Sequence, residues 1–302
     1  MKMLLVGSNG QLGWELEKRG KMQGLDIIPL DLPGFDITDR SAVKDAVAGS
    51  DVSVVVNAAA FTAVDRAESE PELAYKINSD GPAYLASSCA VSGIPLIHIS
   101  TDYVFDGARK SDYLETDPVS PIGVYGKSKA AGEAEVRNHL QEYIILRTAW
   151  LYGVHGSNFV KTILRLGKEK ETLNVVNDQY GCPTYAADLA ETVLKIAAKI
   201  SERGDIVWGT YHYCGKGMTT WHGFAEKIID LARRHCSLVV KKVVPITTAG
   251  YPTPAERPVR SVLDCSLVTK NFGIHLRPWQ ESLAEMINCL VNTNQQNNYS
   301  TT

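Results

Sequence analysis

Met3-Leu4-Leu5-Val6-Gly7-Ser8-Asn9-Gly10-Gln11-Leu12-Gly13 passes from a short, continuously apolar run straight into a glycine-rich turn. An unbroken apolar run of that length suits a parallel strand buried on both faces. The glycines let the backbone turn tightly and approach a pyrophosphate, whose charge is favoured at a helix N-terminus. The spacing is G-x-x-G-x-x-G, not G-x-G-x-x-G, so the turn by itself is a weak signal. Its place between a strand and a helix reaching about Met22 is what makes Gly7, Asn9, Gly10, Gln11 and Leu12 candidates for holding a dinucleotide.

Working outward, Leu25 to Leu30 reads as a second strand with Asp31 at its end. A carboxylate there can accept from both adenosine ribose hydroxyls and would repel a 2′-phosphate. A helix from about Asp39 to Ala48 leads to a strand at Val52 to Val56, closed by Asn57-Ala58-Ala59-Ala60. Small side chains at that place let a dinucleotide lie flat across the strand ends. A helix over Tyr75 to Ser92, a strand Ile94 to Ile99, a helix from Tyr125 to about His139 and a strand Tyr143 to Arg147 continue the alternation. Such alternation predicts an α/β, doubly wound parallel sheet of Rossmann type, with ligands at the strand C-termini. Later elements are less regular. Helices are expected near Asn158 to Lys168, Ala186 to Ile200, Thr219 to Arg234 and Trp279 to Val291, and strands near Leu173 to Val176 and Tyr211 to Tyr213. The expected division is a dinucleotide-binding domain, 1–150 plus about 186–214, and a smaller α/β substrate-binding domain, about 151–185 plus 215–291. The Asn-, Gln-, Ser- and Thr-rich stretch 292–302 reads as a disordered tail.

The 302 residues carry 31 basic and 34 acidic side chains, a net charge of −3. This balance gives no electrostatic reason to expect nucleic acid or an anionic membrane as a partner. No apolar run is long enough for a membrane helix. The six cysteines are scattered without a C-x-x-C pair, which reads as the reduced thiols of a cytoplasmic protein. The seven histidines show no metal-ligand spacing.

The chemistry concentrates in Val124-Tyr125-Gly126-Lys127-Ser128-Lys129. In a helix, Tyr125 and Lys129 stand one turn apart on one face. A phenol near pKa 10 is a poor acid or base at neutral pH, and a neighbouring ammonium favours its phenolate. Upstream, Ser100-Thr101 ends a buried-looking strand.

With these residues in view, the chain resembles the extended short-chain dehydrogenase/reductases over nearly all of its length. The glycine turn, Asn57 to Ala60 and Tyr125-x-x-x-Lys129 are the general motifs. More specific are Ala60-Phe61-Thr62-Ala63-Val64-Asp65, Ser100-Thr101-Asp102-Tyr103-Val104-Phe105-Asp106-Gly107 and Asp178-Gln179-Tyr180-Gly181-Cys182-Pro183-Thr184. The likeness is greatest to the branch that reduces the C4 keto group of a 4-keto-6-deoxy dTDP-sugar, a substrate on the way to polysaccharide. It implies that Tyr125 donates a proton to the carbonyl oxygen, that Lys129 holds the nicotinamide ribose and lowers the Tyr125 pKa, and that Thr101 orients the carbonyl. It implies a cofactor pocket that also uses Asp36, Ile37, Ala58, Ala59, Ala60 and Thr62, and substrate contacts at Val64, Asp65, Asp102, Tyr103, Trp150, Asn158 and Arg257. NADH and NADPH both fit, with Asp31 leaning towards NADH. A homodimer is compatible with the resemblance. Some members carry a metal at a subunit contact through glutamates; Glu15, beside Trp14, could be such a residue, and the metal is left open. Two alternatives compete. A catalytically silent regulatory subunit would not need Thr101, Tyr125 and Lys129 together. The other is a related sugar-nucleotide reductase, epimerase or dehydratase; dehydratases of the superfamily usually carry an Asp-Glu pair after the threonine, whereas Asp102-Tyr103 follows Thr101 here.

Overall fold

The structure, a computed structural model, describes residues 1–202 and 204–299, with side chains described as far as Val291. Six parallel strands form one sheet, in the order Gly209–His212, Tyr143–Thr148, Leu96–Thr101, Val54–Asn57, Lys2–Val6, Asp26–Leu30. The period of two along each strand divides its side chains between the two faces. Met3 and Leu5 join one core with Val54, Val56, Ile144 and Leu146, beneath the helices Gln11–Met22 and Ala186–Ser201. Leu4 and Val6 join a second core with Val55, Leu96 and Ile145 on the opposite face. The helices Arg40–Ala48, Gly81–Ser92 and Val124–His139 cover that face. Each fully buried aliphatic side chain contributes roughly 1.5–3 kcal/mol, so the continuous apolar strands specify a sheet sandwiched between helices, the doubly wound α/β architecture.

A third core lies apart from the sheet. It joins Phe159–Glu169 and Trp221–Ala232 to the helix that starts at Trp279, over the strand pair Thr172–Val176 and Lys242–Ile246. The strand Lys242–Ile246 and the helix Ser266–Phe272 were not evident in the sequence. The strand is five residues long and contains Pro245, and the helix has seven residues, too few to show a period. The segment expected as one helix from Tyr75 to Ser92 has three parts: Pro71–Tyr75, a wider π turn at Lys76–Asp80, and Gly81–Ser92. Pro82 has no N–H to give the Asn78 carbonyl, which favours the wider turn. Asn78 there braces the site: its side chain accepts from Phe61 N at 2.8 Å and donates to Ser128 Oγ at 3.0 Å. The stretch 292–302 lies outside the described side chains, and its backbone as far as Tyr299 continues the helix begun at Trp279.

Candidate active site

A cleft of about 730 Å³ runs along the C-terminal ends of the strands, where doubly wound sheets place their ligands. At one end the glycine turn follows Lys2–Val6. Gly7 has φ +88, and a Cβ there would lie 2.4 Å from Ala59 N, so only glycine lets the turn lie against Asn57-Ala58-Ala59-Ala60. Asp31, just past the second strand, clamps this turn: it accepts from Asn9 N at 2.8 Å and from Leu32 N at 2.7 Å. Asp36, Ile37, Ala58, Ala59, Ala60 and Thr62 line the same wall with Gly7, Asn9, Gly10, Gln11 and Leu12. A helix N-terminus behind a glycine cradle suits a diphosphate, and an acidic strand end suits a ribose. Thr148 adds a buried hydroxyl without a hydrogen-bond partner on the cleft wall, as expected of a surface shaped to receive a polar ligand.

Thr101, Tyr125 and Lys129 all line this same cleft. Thr101 is the last residue of Leu96–Thr101 and caps the 3₁₀ turn Asp102–Val104, accepting from Tyr103 N at 3.2 Å. Tyr125 and Lys129 lie in the first two turns of Val124–His139, whose free Val124 N–H is taken by Glu68 at 2.8 Å. The Tyr125 phenol is nearly buried and packs edge-on against Tyr103, with centroids 5.5 Å apart. Burial pushes its pKa up to about 12, against the downward pull of a hydrogen bond with Thr101. Lys129 donates to the Ile99 carbonyl at 2.7 Å, and burial brings its pKa down to about 8 against the opposing charge of Glu133.

Glu133 anchors the helix bearing Tyr125 and Lys129 to the sheet. Its carboxylate is fully buried and accepts from Ser100 Oγ at 2.6 Å, from Arg147 at 2.8 and 2.7 Å, and from Arg137 at 3.2 Å. These donors hold its pKa below the ordinary value although burial acts the other way. The strand ending in Thr101 and the helix bearing Tyr125 and Lys129 are thereby fixed to each other by ionic hydrogen bonds.

The far end of the cleft is aromatic. Trp150 stacks on Trp221 with centroids 3.5 Å apart and planes 6° from parallel. Trp150 has φ +46, a left-handed conformation that costs a non-glycine residue roughly 1–2 kcal/mol. Against its ring lies Gly181, where a Cβ would fall 2.4 Å from Cε2. Trp221 Nε1 in turn donates to Gln179 Oε1 at 3.2 Å. Trp221 is a cleft residue that the sequence did not reveal, since nothing in its spacing links it to Trp150. Thr148 could have been found from its place at a strand C-terminus.

Of the residues expected at the sugar, Val64, Asp102, Tyr103 and Trp150 line the cleft. Asp102 is fully buried, accepts from Thr101 Oγ1 at 3.1 Å and from the Ser261 hydroxyl, and burial raises its pKa to about 6. Asp65 and Arg257 turn to each other instead, 2.9 Å apart. Asn158 caps the helix Phe159–Glu169 by accepting from Lys161 N and donates to Gln11 Oε1 at 2.9 Å. Glu15 is buried against Arg19 at 3.1 Å, and Arg19 also meets Glu191 at 2.9 Å. Among the described residues no group of three or more His, Cys, Asp or Glu side chains is placed to hold a metal ion.

The family model described as the RmlD substrate binding domain matches residues 1–292. A dTDP-4-dehydrorhamnose reductase of Sinorhizobium fredii is 41% identical over 288 residues, covering 95% of this chain and 97% of the relative. The crystal structure of a dTDP-4-dehydrorhamnose reductase from Clostridium acetobutylicum superposes with a TM-score of 0.90 at 44% identity, covering 96% of this chain and 99% of that one. That of the Bacillus anthracis enzyme in complex with NADP gives 0.88 at 39% identity, covering 95% and 99%. With a family model spanning nearly every residue and relatives above 40% identity along almost their full length, the chain belongs to the RmlD substrate binding domain family.

Proposed function

We propose that this chain reduces the C4 keto group of dTDP-4-dehydro-L-rhamnose to give dTDP-L-rhamnose, using NADH or NADPH. The observation that carries the reading is the lining of one cleft by Thr101, Tyr125 and Lys129 together with the glycine turn. Bound NAD(P)H supplies the hydride. The chain supplies position and the proton. Thr101, fixed by the Tyr103 N–H and the Asp102 carboxylate, orients the carbonyl beside the Tyr125 phenol. Tyr125 gives its proton to the oxygen that becomes the C4 hydroxyl. Lys129 holds the nicotinamide ribose and, as an ammonium, favours the phenolate that Tyr125 leaves behind. The wall of Trp150 and Trp221 receives the sugar nucleotide, with Val64 and Tyr103 beside it.

The division we propose keeps a dinucleotide-binding part around the two cores of the sheet and a smaller substrate-binding part around Phe159–Glu169 and Trp221–Ala232, while Val262, Leu263, Val268 and Ile274, expected in the smaller part, pack with the sheet. No helix among the described residues is long and apolar enough to cross a membrane; a cytoplasmic location and a homodimer belong to the proposal. The test is incubation with dTDP-4-dehydro-L-rhamnose and either cofactor, following the absorbance of reduced nicotinamide. Consumption that depends on the sugar nucleotide is expected. Its failure with both cofactors would overturn the reading in favour of a regulatory protein.

A further inference from the structure

His98 lies in the sheet directly behind the catalytic lysine and is completely buried. Its Nδ1 is 3.1 Å from Asn57 Nδ2, and its Nε2 is 3.5 Å from Lys129 Nζ. The orientation of the Asn57 amide is fixed independently, because its Oδ1 accepts the Ala59 N–H at 3.1 Å. An amide nitrogen can only donate, so His98 Nδ1 must be the acceptor and the ring proton must sit on Nε2. Double protonation is disfavoured, since burial and the charge of Lys129 hold the imidazole pKa well below its ordinary value. A neutral ring therefore turns an N–H towards Nζ. An ammonium can only donate and cannot accept that N–H, whereas a neutral amine can.

We propose that His98, locked by Asn57 as the Nε2–H tautomer, is a positioning residue that steers the protons of Lys129 away from its own ring and loosens its hold on the charge. The ammonium then points its donors at the Ile99 carbonyl and into the cleft. Glu133, one turn along the helix, opposes the effect and is itself shared with Arg147 and Arg137. Asn57 belongs to the segment against which the glycine turn packs, so the residue that locks His98 lies between the cofactor-facing turn and the lysine. The inference rests on the catalytic role proposed for Lys129.

Two measurements test it. In the wild-type protein labelled with ¹⁵N-histidine, long-range ¹H–¹⁵N spectra should show one histidine, lost in His98→Gln, with Nε2 protonated, Nδ1 bare and no titration through neutral pH. A proton on Nδ1 would overturn the proposal whatever the enzyme's activity. In the pH profile of kcat/KM, the alkaline limb set by Lys129 should move up by about one pH unit in His98→Phe, which has no N–H to present. His98→Gln, whose amide can accept from Asn57 and turn an N–H towards Lys129, should restore the wild-type limb. An unmoved limb in His98→Phe, with Lys129→Met still inactive, overturns this inference alone. Normal turnover in Lys129→Met overturns the catalytic reading instead and leaves the tautomer to be judged by its spectrum.

Discussion

Replacing Arg147 by methionine should destabilise the fold by about 3–5 kcal/mol, the cost of leaving one member of a buried ion pair uncompensated. Glu133 is 0% exposed and Arg147 2%, so water cannot replace what is lost. The substitution removes the donors at 2.8 and 2.7 Å and leaves the carboxylate with Ser100 and the partly exposed Arg137. Adding Glu133→Gln should recover part of the loss, because an amide is cheaper to bury than an unpaired charge. Urea unfolding followed by tryptophan fluorescence gives the three differences. The pH dependence has a definite sign. The Glu133 pKa is lowered in the folded state, so its contribution is complete above the unfolded value near 4.3. It is lost as the pH falls through the folded value, and the gap between wild type and variant should narrow in acid. A loss below about 1 kcal/mol in Arg147→Met, or a double variant equal to the sum of the singles, would refute the reasoning.

Three further predictions concern the cleft. Lys129→Met should lower turnover and also weaken NAD(P)H binding; unchanged affinity in a fluorescence titration would remove Lys129 from the ribose. Asp31→Asn should raise kcat/KM with NADPH relative to NADH by about fivefold, the worth of one screened like-charge contact of ~1 kcal/mol. A constant ratio would mean that Asp31 serves only the Asn9 amide of the glycine turn and the amide of its neighbour Leu32. Gly181→Ala puts a methyl into the Trp150 ring; KM for the sugar nucleotide should rise while cofactor affinity holds, and an unchanged KM would separate Trp150 from the substrate.

The sheet was legible because buried parallel strands must be continuously apolar: Met3 to Val6 and Val54 to Val56 allow few other readings. The glycine turn and the Tyr125/Lys129 face were legible because each is local, set by one turn or one helical repeat. What escaped depends on contacts distant in sequence. Trp221 meets Trp150, Asp65 pairs with Arg257, and Ser261 reaches Asp102 only after the chain has folded. The surroundings of Tyr125 likewise depend on such contacts. Spacing placed Lys129 beside it, but the Ile99 carbonyl engages the ammonium, and Thr101 supplies the hydrogen bond to the phenol.

Turnover of Tyr125→Phe with dTDP-4-dehydro-L-rhamnose tests the central claim most directly, because the change removes one hydroxyl and keeps the ring packed against Tyr103. The account predicts a loss of roughly 10²-fold or more in kcat, with NAD(P)H affinity nearly intact. Turnover close to that of the wild type would contradict it.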